Sequence, residues 1–200
     1  MTASKRRRAA TIEPRLVNWR LWTSEFDVGM AIRVASEKGT GILGMQVESI
    51  YSHDGLRDSL TSLAAPPLFY EELRRELARA KRRESKIVLI RMVLRERLLA
   101  VDEEIIKFDP RREILEFGQL LRRASRAEDV CARVGEREFL NLIHGDQIQS
   151  ESIVLRIIKN WSLEDRRLKL FTSCVTSTHG ELGLDILNRL DLIELVEAFD

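Results

Sequence analysis

The segment RAEDVCARVGEREF, residues 126–139, holds the side chains with the clearest capacity for chemistry. Arg126 and Asp129 stand three residues apart just before a strand-like run, and a charged, turn-like stretch begins at Gly135. On a turn, a guanidinium and a carboxylate at this spacing can face one ligand edge. The guanidinium can bind O6 and N7 of guanine, and the carboxylate can accept from the guanine N1–H and amino group. Taken alone, the pattern is common and favours an ordinary surface ion pair.

The cysteines and histidines indicate no further reactive or metal site. Cys131 and Cys174 both lie in strand-like runs, which favours buried, reduced thiols in a cytoplasmic protein. The three histidines, at positions 53, 144 and 179, do not have the spacing of metal ligands. We therefore predict neither a metal nor another cofactor.

The composition suits one α/β domain with an extension, or two very small domains. Of the 200 residues, 44% are hydrophobic and 32% are charged, enough for a packed core under a charged surface. The net charge of +1 gives no overall argument for nucleic acid. The basic run KRRR at residues 5–8 is expected to be a solvated tail, with a nucleic-acid or membrane-surface contact as the alternative. No apolar stretch is long enough to span a bilayer, and no apolar signal segment follows the basic start.

The elements that must position the charged segment are legible from Asp58 onward. Pro66 suits the first turn of a helix, and apolar residues then recur at helical spacing as far as Ala80. The elements predicted after this helix are a strand at 87–90, a helix at 111–124, a hairpin of strands at 130–134 and 139–143, a helix at 148–161, a strand at 168–176 and a helix at 182–199. This order predicts an α/β fold with one central sheet, and it leaves residues 1–57 as an N-terminal extension of unknown fold.

Three local sequences in this order resemble the GGDEF domain of diguanylate cyclases. DSLTSL at 58–63 is similar to the family's D-x-L-T-G-L motif, and GEREF at 135–139 occupies its signature hairpin. RAED at 126–129 matches the family's R-x-x-D motif and is separated from the signature by five residues, as in the family. The resemblance covers residues 58–200. It implies a bacterial signalling domain with a nucleotidyl cyclase-like α/β fold, in which helices flank a mostly antiparallel central sheet.

The departures from this pattern fall on the positions that carry the family's chemistry. Glu136 replaces the second glycine of the signature, and Arg137 replaces an acidic metal ligand, a role that a guanidinium without an acceptor atom does not fill. Arg91 replaces the carboxylate of the first strand. Gly135, Glu138 and Phe139 keep the family's residue types, since the signature here is GEREF.

The expected consequence is a degenerate domain without cyclase activity, because phosphoryl transfer depends on metal-neutralised charge. Arg91 and Arg137 alternatively form a pair that binds a triphosphate directly. We favour instead surface ion pairs between these arginines and Glu136 or Glu138.

The resemblance assigns cyclic di-GMP as the ligand of Arg126 and Asp129. The family's ligand docks as a stacked pair, which needs further arginines, and Arg122 and Arg123 are the candidates, with a solvated helix terminus as the alternative. We therefore expect an inactive cyclic di-GMP receptor that contacts an unidentified protein partner through residues 1–57. A homodimer is a further possible assembly. A ligand-free adaptor that docks on an active cyclase, and a residual enzyme or GTP-binding regulator, are the rival hypotheses.

Overall fold

The computed structural model describes residues 51–97, 108–145, 147–163 and 166–198. Most of the predicted extension, residues 1–57, lies outside these ranges, and so does the KRRR run. The described residues form the following helices and strands: α1 Pro66–Arg83, β1 Ile87–Glu96, α2 Arg111–Ala124, β2 Val130–Arg133, β3 Glu138–His144, α3 Gln147–Trp161, β4 Leu168–Thr176, α4 Gly183–Leu192 and β5 Val196–Glu197. In the described part of the chain, no helix is long and apolar enough to cross a membrane.

The strands form one antiparallel sheet in the order β2-β3-β1-β4-β5. The long strand β1 is central, so that Arg91 lies opposite Leu140 of β3 and opposite Ser173 of β4. A sheet of this kind with helices on its faces confirms the predicted α/β fold with one mostly antiparallel central sheet.

The core consists of two layers, one on each face of the sheet, because successive side chains of a strand point to opposite faces. On one face, Ile90 and Met92 of β1 belong to a cluster with residues of α2 and α3, including Phe117 and Trp161. On the other face, Leu89 belongs to a cluster with residues of α1 and α4. The odd-numbered side chains of β1 therefore face α1 and α4, and this places Arg91 on that side.

The C-terminal helix is shorter than predicted. We expected helix over 182–199, but α4 ends at Leu192, Ile193 is extended, and Val196 pairs with Thr172 of β4 as part of β5. The Ala198 N–H donates to the Leu170 carbonyl at 2.9 Å. The edge of β4 otherwise offers unpaired backbone groups, and satisfying them outweighs the helical periodicity of the sequence.

Strand β1 is longer than predicted. The expected strand covered 87–90, whereas the observed strand continues to Glu96. Beyond Ile90 the burial changes from continuous to alternating, because Met92 and Leu94 are buried between more exposed neighbours. The Leu94 N–H also donates to the Arg137 carbonyl at 2.9 Å, which ties the end of the strand to the hairpin.

Candidate functional site

The candidate site is the turn between α2 and β2, which carries Arg126 and Asp129. Helix α2 ends as Ser125 becomes extended, with its N–H still bonded to the Leu121 carbonyl at 3.0 Å. The Asp129 carboxylate Oδ2 accepts from the Arg126 backbone N–H at 2.8 Å, and the Asp129 N–H donates to the Arg126 carbonyl at 3.2 Å. These two bonds close the turn. The carboxylate therefore bonds the backbone of Arg126 rather than forming the surface ion pair that the bare pattern favours.

Two polar groups of this turn keep unused hydrogen-bonding capacity. The second carboxylate oxygen of Asp129, Oδ1, is buried and has no hydrogen-bond partner among the described residues. The Arg126 side chain is exposed, and no described residue accepts a hydrogen bond from its guanidinium. A buried acceptor without a donor costs free energy comparable to a lost hydrogen bond. A ligand that supplies a donor to Asp129 and acceptors to Arg126 removes that cost.

A cavity of about 380 Å³ opens beside this turn. Its lining brings together three of the four predicted ligand residues, because Arg122, Arg126 and Asp129 all border it. The other residues around it are Arg57, Leu63, Ser125, Ala127 and Cys131.

A second cavity, of about 530 Å³, lies between α2 and α3 and shares Ser125 and Arg126 with the first. It is bordered by the fourth predicted residue, Arg123, and by Arg156 of α3. Arg126 therefore stands between two open volumes, each with additional guanidinium groups at its wall.

Arg122 is hydrogen-bonded to the backbone of another loop, unlike a cation at a solvated helix end. Its guanidinium donates to the Ser62 carbonyl at 2.9 Å and lies 3.5 Å from the Thr61 carbonyl. Arg123 is exposed and borders the second cavity. Both residues lie at the end of α2, as predicted, but the contact of Arg122 with the backbone was not predicted.

Sequence analysis also missed Arg57 and Arg156, which border the first and the second cavity respectively. Arg57 precedes the DSLT motif directly, and its contribution depends on how that loop folds against α2. Arg156 donates to the Ala124 carbonyl across the α2–α3 contact. The only sequence signal for Arg156 is a cation on the exposed face of a predicted helix, a common pattern.

A buried ion pair holds the DSLT loop against the strand that follows the candidate site. The side chains of Asp58 and Arg133 are both fully buried, and Arg133 donates to Asp58 Oδ2 at 3.0 Å. Asp58 Oδ1 also accepts from the backbone N–H of Thr61 at 2.7 Å and from its hydroxyl at 2.6 Å. Arg133 further donates to the Glu136 carbonyl at 2.6 Å, so it links the loop to the hairpin. The pair fixes the backbone on both sides of β2.

The loop residues before Asp58 also contact the domain. The Tyr51 hydroxyl donates to the Arg133 carbonyl at 3.3 Å, and the Arg133 guanidinium lies 5.3 Å from the centre of the Tyr51 ring. Arg57 and Ala64 form an antiparallel bridge. The domain boundary after residue 57 stays a prediction, but residues 51–57 pack against the domain that begins at Asp58.

At the hairpin, both arginines that replace expected carboxylates are paired with acids. Arg91 donates to Glu138 at 2.6 Å and lies 3.3 Å from Asp191 of α4. Arg137 lies 3.5 Å from Glu96 at the end of β1. The pairing of Arg91 with Glu138 is one that we favoured. Arg137 instead contacts an acid outside the hairpin, because the pairing of its carbonyl with β1 brings it beside the end of that strand.

The rest of the hairpin is structural. The Gly135 N–H points to the Glu138 carbonyl at 3.3 Å, and a Cβ on Gly135 would lie 3.4 Å from the Glu138 Cβ. Phe139 is buried, with its ring centre 4.9 Å from that of Phe117. In the described ranges, no group of three or more histidine, cysteine or acidic residues is placed to hold a metal ion.

The two cysteines have perturbed thiols, and this supports a prediction about their reactivity. Burial raises the pKa of Cys131 to about 11, and burial also raises the pKa of Cys174 to about 11. At pH 8 only about one thiol in a thousand is then ionised, and the thiolate is the nucleophile. We expect iodoacetamide to label neither cysteine of the folded protein at pH 8, and both after unfolding in urea, as measured by mass spectrometry. Rapid labelling of Cys131 in the folded protein would contradict the burial of this thiol beside the cavity.

The sequence matches no protein-family model and no curated protein. Solved structures do match its fold. The GGDEF domain of DgcB from Caulobacter crescentus, in complex with c-di-GMP, superposes with a TM-score of 0.59 at 19% identity, over 75% of this chain and 89% of that one. A microbial GGDEF domain studied for its interaction with cyclic di-GMP gives a TM-score of 0.60 at 18% identity, over 68% of this chain and 88% of that one. The diguanylate cyclase SiaD from Pseudomonas aeruginosa, in complex with its activator SiaC, gives 0.56 at 22% identity, over 68% of this chain and 55% of that one.

The antiparallel sheet with helices on both faces places the described chain in the class of nucleotidyl cyclase-like α/β domains. Within that class its fold is similar to that of GGDEF domains, which agrees with the resemblance of the DSLT, R-x-x-D and GEREF segments. Identities of this size establish the fold alone, and function belongs to the site itself.

Proposed function

We propose that this chain is a catalytically inactive GGDEF-type receptor that binds cyclic di-GMP at the turn formed by residues 126–129. One observation carries the proposal. The Asp129 carboxylate is fixed by the Arg126 backbone, while its other oxygen is buried without a donor among the described residues. The guanine N1–H and amino group are donors of the kind that this oxygen lacks.

The neighbouring groups complete the match to a guanine nucleotide. The unpartnered guanidinium of Arg126 suits the O6 and N7 acceptors of the same base and the adjacent phosphate. The cavity between α2 and α3, where Arg123 and Arg156 supply positive charge, is the place that we propose for a second, stacked ligand molecule. DgcB, whose GGDEF domain shares this fold, was crystallised with c-di-GMP, which supports the choice of ligand.

The location of the ligand can be tested by backbone amide chemical shifts. Adding cyclic di-GMP to the labelled protein should shift the amides of Arg126 and Asp129 most strongly, since their N–H groups belong to the turn that binds it. The hairpin amides around Arg137 should shift little. Shifts concentrated at the hairpin and absent from the turn would place the ligand at the other site and contradict the proposal.

Loss of catalysis is the second half of the proposed function. Arg91 and Arg137 stand where acidic metal ligands are expected and are paired with Glu138 and Glu96, and a guanidinium has no acceptor for a metal. Without metal-neutralised charge, nothing activates the 3′-hydroxyl for attack on the α-phosphate.

We therefore expect no cyclic di-GMP from incubation with GTP and Mg²⁺ or Mn²⁺, measured by chromatography. The double variant Arg137→Asp, Glu136→Gly should also fail, because Arg91 still occupies the carboxylate position of β1. The informative control is Arg137→Ala. If product formation scales with protein concentration and disappears in Arg137→Ala, the domain is an enzyme.

A ligand-free adaptor is the second candidate function, and exposed leucines favour it. Leu182 and Leu192, at the two ends of α4, are 68% and 78% exposed, and Leu184 is 59% exposed. Contiguous exposed apolar surface is a feature of protein contacts, and these three leucines lie on or directly before one short helix. The partner surface that we predict within residues 1–57 lies almost wholly outside the described residues.

A further inference from the structure

We propose that Arg57 and Arg122 form a phosphate subsite at the rim of the cavity that holds Arg126 and Asp129. The subsite takes a phosphodiester or another phosphoryl anion. Its assignment to cyclic di-GMP rests on the proposed function, whereas its preference for a phosphoryl group does not.

The two guanidinium groups converge on a single neutral acceptor. Arg122 donates to the Ser62 carbonyl at 2.9 Å, and Arg57 reaches the same oxygen at 3.5 Å. Ser62 has a positive φ of 56°, a conformation that L residues seldom adopt, and it turns this carbonyl out between the two arginines. Neither arginine forms an ion pair with a carboxylate in the described part of the chain.

Two like charges that share one carbonyl repel each other, and no carboxylate of a described residue lies within ion-pair distance of either guanidinium. The acid on the same cavity wall is Asp129, whose bonded oxygen is occupied by the Arg126 N–H. An anion that touches both guanidiniums converts this repulsion into two charge-assisted hydrogen bonds. Arginine is suited to this role, because its planar fork matches the oxygens of a phosphoryl group.

The backbone that presents Arg57 is rigidly held, as a binding group requires. Asp54 Oδ1 accepts from the N–H groups of Leu56 and Arg57, at 2.8 and 2.6 Å. The Asp58 N–H, one residue further on, donates to the Leu63 carbonyl at 2.9 Å, which closes the loop. A guanidinium on such a loop loses less conformational freedom on binding than one on a flexible segment.

The subsite divides the cavity into a part that binds the base and a part that binds the phosphate. The base-reading pair, Arg126 and Asp129, and the phosphate pair, Arg57 and Arg122, border the same volume of about 380 Å³. A guanine nucleotide whose base binds the first pair therefore places its ribose-linked phosphodiester in the cavity that the second pair borders. This arrangement favours a guanine nucleotide over the nucleoside, guanosine.

Replacing Arg57 tests the subsite with little risk to the fold, because its side chain is exposed. In calorimetric titrations with cyclic di-GMP, Arg57→Ala should bind about tenfold more weakly than the wild type, the effect of one lost charge-assisted hydrogen bond. Arg57→Lys should fall between the two, since it keeps the charge without the fork. Arg82→Ala, which removes an equally exposed cation that borders neither of the two cavities, is the matched control and should bind like the wild type.

The outcomes separate this proposal from the receptor proposal. If the wild type binds cyclic di-GMP and Arg57→Ala binds equally well, the subsite is wrong and the receptor assignment stands. If the wild type does not bind cyclic di-GMP, the receptor assignment fails and the subsite is tested with pyrophosphate. Pyrophosphate binding that is weakened in Arg57→Ala but not in Arg82→Ala supports the subsite. No pyrophosphate binding by the wild type, or equal binding by Arg57→Ala, overturns it.

Discussion

Replacing Arg133 with alanine is expected to lower the free energy of unfolding by about 3–5 kcal/mol, a loss that many domains of this size do not survive. The Arg133 and Asp58 side chains are fully buried and bonded to each other, so removing one leaves the other as an uncompensated buried charge. Arg133→Ala also frees the Glu136 carbonyl, which accepts from that guanidinium at 2.6 Å. Urea denaturation followed by circular dichroism measures the change.

An exposed ion pair provides the matched control. Arg74 lies 2.9 Å from Glu71 with a side chain that is 72% exposed, and such an exposed pair contributes little to stability because solvent screens it. Arg74→Ala should therefore leave the urea midpoint nearly unchanged. The double variant Asp58→Leu, Arg133→Met should recover part of the stability lost in Arg133→Ala, because it buries no unpaired charge. A loss in Arg133→Ala no larger than that in Arg74→Ala would contradict the structural role of the buried pair.

Replacing Asp129 with asparagine should weaken cyclic di-GMP binding roughly ten- to a hundredfold, which corresponds to about 1.5–3 kcal/mol. The amide oxygen can still accept from the Arg126 N–H and keep the turn closed. The amide nitrogen then presents donors to the donor groups of guanine, so the contact becomes unfavourable. Arg126→Ala and Asp129→Ala should lose a similar amount, since each removes one half of the base-reading pair.

The neighbouring acid offers a control for net charge. Glu128→Gln removes the same charge as Asp129→Asn from an exposed position one residue away, and it should bind like the wild type. Thermal unfolding of Asp129→Asn and Glu128→Gln should begin at nearly the same temperature, because both variants retain the turn. If the wild type binds cyclic di-GMP and all the Arg126 and Asp129 variants bind it equally well, the ligand occupies another site.

The order of helices and strands could be predicted because the spacing of apolar residues in the sequence matches the spacing of buried residues in the structure. Strand β1 begins as a continuous apolar run, and α2 carries Ile114, Phe117 and Leu121 on one buried stripe. The prediction failed where tertiary pairing decided the outcome. Residues 196–197 carry a helical pattern, yet the exposed edge of β4 recruits them into the sheet.

The site was predictable only as far as its residues are neighbours in sequence. Arg126, Asp129 and the two arginines at the end of α2 form one local segment, so a motif identifies them. Arg57 reaches the cavity because Asp58 is buried against Arg133, a contact between residues 75 positions apart. No local pattern in the sequence shows that two residues so far apart in the chain are in contact. It also does not show that Asp129 bonds the backbone of its own turn, the detail that leaves one oxygen for a ligand.

Calorimetric titration of the wild-type protein with cyclic di-GMP, with GTP and cyclic di-AMP in parallel, tests whether the domain is a cyclic di-GMP receptor. The account predicts saturable binding of cyclic di-GMP, with a stoichiometry of one or two ligand molecules per chain. It predicts no measurable binding of cyclic di-AMP, because adenine lacks the donors that Asp129 requires. GTP should bind more weakly than cyclic di-GMP, because the hairpin arginines are paired with acids. Absence of cyclic di-GMP binding, or equal binding of cyclic di-AMP, would contradict the account and leave the adaptor as the function to test.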